Sequence, residues 1–315
     1  MKRLTASSAQ HFCILLILFF GIAAINPGGT PPPNFEGRWN ITIKADGKEL
    51  PSWLEISHSG LKTLVGHFVG VTGSARPISK INIEGEKFSF AIPPQWENGD
   101  QDLRVEGSMS GDGLSGSLTT PEGKTYNWTA VRAPALRATK PTWGTPIKLF
   151  NGRDLTGWEA TGTNQWVAEN GILKSPKSGS NLYSTKKFKD FKLHLEFRYP
   201  QGSNSGVYLR GRYEVQIMDS KGNPTSVGDF GAVYGFIKPN EMVAKSPGEW
   251  QTYDITLVGR FITLVANGKT IISNQEIPGI TGGAIDSKES EPGPILFQGD
   301  HGPIEYRNIV ITPAK

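Results

Sequence analysis

The sequence predicts an all-β protein with two domains, a small antiparallel β-barrel of lipocalin-like type followed by a larger jelly-roll-type β-sandwich. Three observations predict this class. The 315 residues include 38 glycines and 22 prolines, which interrupt helices and populate turns. Short segments of alternating apolar and polar residues recur between turn signals, and no stretch shows sustained helical periodicity. With 37% hydrophobic and 20% charged residues, the chain has enough apolar material for a folded core.

The N-terminus predicts an export signal. Lys2 and Arg3 precede an apolar run over 12–25, which is shorter than the roughly 20 residues of a bilayer span. We therefore expect a signal peptide over 1–25, a Pro/Gly-rich spacer over 26–33, and a periplasmic, cell-surface or secreted protein. An uncleaved membrane anchor is the alternative.

Cysteine content and charge exclude several classes of function. Cys13, the only cysteine, lies in the apolar run, so the mature chain can form no disulfide, use no thiol nucleophile and hold no cysteine-ligated zinc. The formal net charge is +4, and no run of lysines or arginines is present. We therefore expect no nucleic-acid partner and, once the signal is removed, no membrane span.

The first domain, over 34–132, is predicted to contain eight short strands. Turn dipeptides such as Asp46-Gly47 and Asp112-Gly113 separate alternating segments at 38–44, 53–57, 63–71, 77–83, 87–92, 102–108, 113–119 and 125–131. Closing such a meander into a barrel removes its exposed edges, and an open sandwich is the alternative. Four tryptophans could line a ligand mouth, although packing into core and rim is favoured in so small a barrel: Trp39, Trp53, Trp96 and Trp128.

A linker is predicted over 133–145, where Pro134 and Pro141 interrupt a stretch without periodicity. The second domain, over 146–313, has longer alternating segments, and Asn267-Gly268 predicts a hairpin turn. Two sheets packed face to face would accommodate the strands predicted at 192–199, 206–209, 213–218, 251–258, 261–266, 295–298 and 304–312.

The polar faces of these strands carry the candidate chemistry. Glutamates and arginines alternate with apolar residues in complementary sets: Glu196 with Arg198, Arg210 with Glu214, and Glu305 with Arg307. Arginine–carboxylate pairs suit recognition of polyols and can tune the pKa of a carboxyl group, which points to a carbohydrate site. A solvated sheet surface is the alternative interpretation.

The second domain resembles the 3-keto-disaccharide hydrolase family, formerly a domain of unknown function with a concanavalin-like jelly roll. The resemblance covers the whole domain in order, through LFNGRDLTGW (149–158), FKDFKLHLEFR (188–198), NSGVYLRG (204–211), YEVQIMD (213–219), GAVYG (231–235), PGEWQTYDI (247–255) and FQGDHGPIEYRNI (297–309). The chain departs from the family at Phe297, where the family commonly has leucine, and at the Gly211-Arg212 link, where the family often has a longer insertion. We expect the short link to change how the cleft is walled and therefore the size of substrate it accepts. The first domain has no counterpart in the family and is expected to be an accessory module.

The resemblance implies cleavage of glycosides whose sugar carries a ketone at C3. The ketone acidifies the C2 hydrogen, so a base can form an enolate that expels the C1 substituent, and water can add back for net hydrolysis. We expect Glu214 or His301 to be the base and the other to be the acid or to orient it. Arg210 or Arg307 is expected to stabilise the oxyanion.

Substrate-binding roles are assigned to polar and aromatic residues of the same segments. Amide groups would hold sugar hydroxyls and an aromatic ring would stack on the sugar; the candidates are Asn204, Tyr208, Gln216, Tyr234, Trp250, Gln298 and Glu305. No redox cofactor is expected. A divalent metal is possible, with Asp219 and Asp300 as candidates, although no calcium-loop spacing supports it.

Two other classes of function remain open from the sequence. A sandwich of this shape could be a non-catalytic carbohydrate-binding module, because folds of this kind often only bind. The chain could also be an adhesion or scaffold protein, in which case the polar faces would have no ligand.

Overall fold

The computed structural model describes residues 34–137 and 139–315, and the predicted signal peptide and spacer lie outside these residues. Within them every regular element is a β-strand, as the sequence predicts, and no helix is long and apolar enough to cross a membrane. The residues from Asn34 to Lys315 form one compact unit that contains both the barrel and the sandwich.

The N-terminal strands close into an eight-stranded antiparallel barrel in sequence order, which confirms the predicted architecture. Asp46 (φ 51°) and Gly47 (φ 74°) form the first hairpin turn, where two left-handed residues match the strand twist. The strands are β1 (Gly37–Ala45), β2 (Lys48–Ser59), β3 (Thr63–Val69), β4 (Arg76–Glu84), β5 (Lys87–Ile92), β6 (Leu103–Ser110), β7 (Gly113–Thr119) and β8 (Thr125–Arg132).

The barrel interior is filled by its own side chains. Trp39 and Trp128 are buried inside it, and Phe88 packs beside Trp128 with ring centroids 6.2 Å apart. Alternating inward residues explain why the apolar pattern of the sequence predicts these strands so closely.

The second part is a sandwich of a five-stranded and an eight-stranded sheet. The smaller sheet has the order β10 (Trp158–Ala160), β13 (Leu182–Ser184), β20 (Leu296–Phe297), β15 (Asn204–Leu209) and β16 (Tyr213–Met218). The larger sheet has the order β11 (Val167–Glu169), β12 (Ile172–Ser175), β21 (Ile304–Pro313), β14 (Phe191–Arg198), β17 (Gln251–Val258), β18 (Phe261–Ala266) and β19 (Lys269–Glu276), and β9 (Ile147–Lys148) pairs with β21.

The barrel packs directly on the sandwich. Trp53, on β2, is fully buried in the core of the sandwich and meets the ring of Phe236 edge to face at 5.3 Å. The loop between β3 and β4 lies against the segment after Pro278, and the Gly283 N–H donates to the Val71 carbonyl at 2.8 Å.

Glycines permit the close approach of these segments. A Cβ at Gly282 would overlap the Gly73 carbonyl, and one at Gly235 would overlap Ser74 and Ala75. Loops of the barrel therefore reach the open face of the five-stranded sheet.

Candidate active site

A cleft of about 630 Å³ opens over the outer face of the five-stranded sheet. Its floor comes from β15, β16 and the end of β20, and one wall comes from barrel loops. The lining residues, which define the cleft below, are Thr72, Gly73, Trp96, Asn181, Asn204, Tyr208, Glu214, Gln216, Met218, Gly228, Tyr234, Gly282, Gly283, Gln298, Asp300 and His301.

Strand register brings the polar residues of the floor together. Tyr208 lies opposite Glu214, and Gly206 lies opposite Gln216. The side chains of Tyr208, Glu214 and Gln216 therefore share the face of the sheet that points away from the core. Gly206 has no side chain on that face, and a Cβ there would overlap the Glu214 carboxyl group. The glycine therefore creates the space that Glu214 occupies.

Glu214 is buried at the bottom of the cleft, with 3% of its surface exposed. Burial raises its pKa from 4.5 to about 8, an effect that Asp300 reinforces and that the Tyr208 hydrogen bond and the His301 charge oppose. The carboxyl group is therefore mostly protonated at neutral pH.

The contacts of Tyr208 fit a protonated Glu214. The Tyr208 hydroxyl lies 2.9 Å from Glu214 Oε2 and 3.0 Å from the Gly282 carbonyl oxygen, but it carries a single hydrogen. Both contacts are hydrogen bonds when Glu214 donates to the hydroxyl oxygen and the hydroxyl donates to Gly282. A protonated carboxyl group at this position can act as an acid.

His301 and Asp300 form a pair at the edge of the cleft. His301 Nδ1 lies 2.5 Å from Asp300 Oδ1, and this contact places the hydrogen on Nδ1 and leaves Nε2 as the basic nitrogen. The hydrogen bond to Asp300 and the charge of that residue raise the pKa of His301, against the effect of burial. The side chain is half exposed, so a ligand in the cleft can reach it.

Three amide side chains on the cleft floor have buried oxygens without a hydrogen-bond partner among the described residues: Asn204, Gln216 and Gln298. Buried polar atoms in proteins are nearly always paired. An unpaired set converging on one cleft suits a ligand rich in hydroxyl groups, since each hydroxyl can donate to an amide oxygen and accept from an amide N–H.

The predicted site residues fall into two groups. The cleft contains Asn204, Tyr208, Glu214, Gln216, Tyr234, Gln298 and His301 together with Asp300, one of the candidate metal ligands. Arg210, Arg307, Trp250 and Glu305, and the other candidate ligand Asp219, are not among its lining residues.

The prediction that Arg210 faces the cleft is wrong. β15 ends at Leu209, and Arg210 has φ 55°, so the strand alternation that would place it beside Tyr208 stops one residue earlier. Its side chain is fully buried, and Nη2 donates to the Tyr213 hydroxyl at 3.0 Å and to the Gly259 carbonyl at 2.9 Å.

The prediction that Arg307, Trp250 and Glu305 belong to the site is also wrong, because Arg307 and Glu305 lie on the eight-stranded sheet and Trp250 directly precedes its strand β17. Arg307 Nε donates to Glu196 at 2.7 Å, and its guanidinium stacks 3.9 Å from the Trp250 ring. Arg198, also over Trp250, pairs with Glu305. These charges satisfy one another across β14 and β21, as on an ordinary solvated sheet surface.

The candidate metal ligands do not form a cluster. Asp219 accepts a hydrogen bond from the Gly202 N–H at 3.0 Å, whereas Asp300 faces His301. Among the residues that the structure describes, no group of three or more His, Cys, Asp or Glu side chains is arranged to hold a metal ion.

The barrel supplies one wall of the cleft, and the sequence does not predict this wall. Trp96 and the segment Thr72–Gly73 belong to loops between barrel strands, and Asn181 precedes β13. The sequence singled out Trp96 with the other tryptophans, but Trp39, Trp53 and Trp128 are buried whereas Trp96 is 69% exposed. Nothing in the local pattern distinguishes it.

A buried acid, an Asp–His pair and convergent amides in one cleft of a jelly-roll sandwich suit a protein of the carbohydrate-active class. Residues 145–312 match the family model described as the 3-keto-alpha-glucoside-1,2-lyase-like domain, which is more than half of the chain. The chain belongs to this family, and the membership supports an enzyme of glycosidase type.

Individual relatives and solved structures match parts of the chain. A 3-keto-disaccharide hydrolase of Bacteroides thetaiotaomicron is 31% identical over 90 residues, which are 24% of this chain and 31% of that protein. The match thus spans about a third of the curated relative. A solved structure of a glycosyl hydrolase from Parabacteroides distasonis, described there as unconfirmed in function, is 30% identical, with a TM-score of 0.46 and coverage of 56% of this chain and 91% of that one. The carbohydrate-binding module CBM66 of Bacillus subtilis is 12% identical, with a TM-score of 0.35 and coverage of 50% and 96%.

Proposed function

We propose that the protein cleaves 3-keto-glycosides by removing the C2 proton, expelling the C1 substituent and adding water to the product. The observation that carries the proposal is the joint position of Glu214, buried so that its pKa is raised, and the His301–Asp300 pair in a cleft lined with unpaired amides. The family membership supports the same class of substrate.

His301 is the base in this proposal. Its neutral Nε2 takes the C2 proton, and the electrons of the broken C–H bond form the enolate with the C3 carbonyl. Asp300 holds the ring in one tautomer and stabilises the imidazolium that forms, as carboxylates do beside catalytic histidines.

Glu214 is the acid. As the enolate collapses, a double bond forms between C1 and C2, the C1–O bond breaks, and the leaving oxygen receives the Glu214 proton. A pKa of about 8 keeps that proton available at neutral pH. Water then adds across the C1–C2 double bond: its oxygen bonds to C1 as Glu214 takes back a proton from it, and the His301 imidazolium returns a proton to C2. This gives the free 3-keto sugar and restores both side chains, so the net reaction is hydrolysis.

Amides take the place first assigned to arginine. Because Arg210 and Arg307 lie elsewhere, the donors available to the C3 oxyanion from the cleft floor are the amide N–H groups of Asn204, Gln216 and Gln298. Loss of one oxyanion donor typically costs about 2.7–4 kcal/mol of transition-state stabilisation.

Substrates whose leaving groups differ in their need for a proton distinguish the base His301 from the acid Glu214. Wild-type protein, Glu214→Gln and His301→Ala would be assayed on a 3-keto-disaccharide, whose leaving alcohol needs a proton, and on a 3-keto nitrophenyl glucoside, whose leaving group does not. We expect His301→Ala to lose about 100-fold or more on both, and Glu214→Gln to lose as much only on the disaccharide.

Controls fix the meaning of each result. Leu61→Ala changes a side chain that is 95% exposed on the barrel, and it should retain wild-type rates. Unoxidised glycosides should remain intact. Equal losses of Glu214→Gln on both substrates would make Glu214 the base, and sugar binding by wild-type protein without any cleavage would favour a non-catalytic carbohydrate-binding protein.

A further inference from the structure

We propose that the barrel is part of the active site, where Trp96 forms the subsite for the group attached at C1. This inference rests on the proposed function and specifies its substrates: 3-keto-glycosides whose leaving group is a ring, either a second sugar or an aryl group. The family domain covers 145–312 and does not include this side chain.

Trp96 is an exposed aromatic side chain at the cleft, held by an ordered loop. Its indole is 69% exposed, although tryptophan in a small domain usually lies in the core. Packing within the barrel therefore does not explain its position.

The loop that carries Trp96 is fixed from within. Glu97 Oε2 accepts the backbone N–H groups of Gln95 at 2.8 Å and Trp96 at 3.2 Å, and Glu97 Oε1 pairs with the largely buried Arg76 at 2.7 Å. The Ser74 N–H donates to Gln95 Oε1 at 3.0 Å, and Gln95 Nε2 donates to the Ser74 hydroxyl at 2.8 Å. A rigid loop that presents an apolar ring to solvent loses little entropy when a ligand covers that ring.

Trp96 shares the cleft with a second aromatic residue, Tyr234, which comes from the sandwich. Burial raises the pKa of the Tyr234 hydroxyl, and Trp96 opposes that effect. Gly235, the residue after Tyr234, lies against Ser74 and Ala75, so a barrel loop packs directly beside the segment that carries Tyr234. The pair forms an aromatic rim built from both parts of the protein.

Proximity to the acid assigns the rim to the leaving group. The sugar that reacts must place C2 beside His301 and the C1 oxygen beside Glu214, and the Tyr234 N–H donates to the Glu214 carbonyl at 3.0 Å. The group attached at C1 therefore lies on the side of the cleft that carries Tyr234 and Trp96. A flat indole face provides stacking for a sugar or aryl ring, whereas a methyl group is too small to use it.

The test compares leaving groups of different size on the same oxidised sugar. Wild-type protein, Trp96→Ala, Trp96→Phe and the control Leu61→Ala would be assayed on 3-keto phenyl, 3-keto methyl and 3-keto-disaccharide substrates. Calorimetry with unoxidised phenyl and methyl glucosides would measure binding without turnover.

We expect Trp96→Ala to lower kcat/KM about tenfold on the phenyl and disaccharide substrates and to weaken phenyl glucoside binding by a similar factor. Methyl substrates should change by less than about twofold, and Trp96→Phe should recover most of the loss. Leu61→Ala should match wild type throughout.

The assays distinguish absence of the leaving-group subsite from absence of the enzymatic activity. If wild-type protein cleaves the oxidised substrates but Trp96→Ala affects all of them equally, or none, the leaving-group subsite is refuted. If wild-type protein cleaves nothing yet binds the phenyl glucoside through Trp96, the subsite stands and the enzymatic proposal fails. Absence of both effects refutes both.

Discussion

Substitution of Glu214 by glutamine should make the stability of the protein less sensitive to pH. Burial raises the pKa of this carboxyl group from 4.5 to about 8 in the folded protein, whereas the unfolded chain returns it to its usual value. Glutamine has nearly the same shape and does not ionise, so it removes this one titration and leaves the packing almost unchanged.

The direction of the pH dependence follows from the number of protons bound in the folded and unfolded states. Below pH 4.5 the carboxyl group is protonated in both states and contributes no pH dependence. Between 4.5 and about 8 the folded protein retains the proton that the unfolded chain has lost, so the free energy of unfolding falls as pH rises. Above that range the free energy of unfolding falls no further on account of Glu214. At about 1.4 kcal/mol for each pH unit, the total loss of stability from this group amounts to about 5 kcal/mol.

Urea unfolding of both proteins at about pH 4 and about pH 9 measures the effect, because groups common to both cancel in the comparison. We expect the free energy of unfolding of Glu214→Gln, measured relative to wild type, to be about 5 kcal/mol higher at about pH 9 than at about pH 4. A difference that stays constant within about 1 kcal/mol would show that Glu214 ionises freely in the folded state. The assignment of this residue as the acid would then lose its physical basis.

Two further predictions follow from packing. Gly206→Ala should reduce cleavage of a 3-keto-disaccharide by about 100-fold or more, because the added Cβ overlaps the Glu214 carboxyl group; an unchanged rate would contradict the assigned position of Glu214. Trp53→Ala should lower the free energy of unfolding by about 3–5 kcal/mol, and a thermal scan should then show separate transitions for the barrel and the sandwich. Trp128→Ala, which changes a residue inside the barrel, should lower the stability of the barrel without separating the two transitions.

The barrel was predictable from the sequence because its physical signals are local. Alternation of apolar and polar residues gave the eight strands to within a few residues, and turn dipeptides such as Asp46-Gly47 marked their ends. Closure follows from the need to cover both edge strands. The first four strand pairings need only neighbouring segments of the chain.

The candidate site was only partly predictable because alternation does not reveal which sheet a strand joins. Glu214 and Arg307 both lie on strands with polar and apolar faces, yet β16 borders the cleft and β21 presents its charges to solvent. Arg210 shows a second limit, since one residue in a left-handed conformation ends the alternation on which its placement depended. Trp96 lies in a loop, where no periodicity relates sequence to position.

The direct backbone contacts at Gly73, Gly235 and Gly282 set the width of the groove between the two parts of the molecule. A side chain at any of them would act as a spacer and displace the indole from the wall that the sandwich supplies. Under the proposed function, a substitution of Gly73, whose added Cβ would press on Gln95 and Trp96, would alter the preference for bulky or slender aglycones without changing a group that takes part in bond breaking.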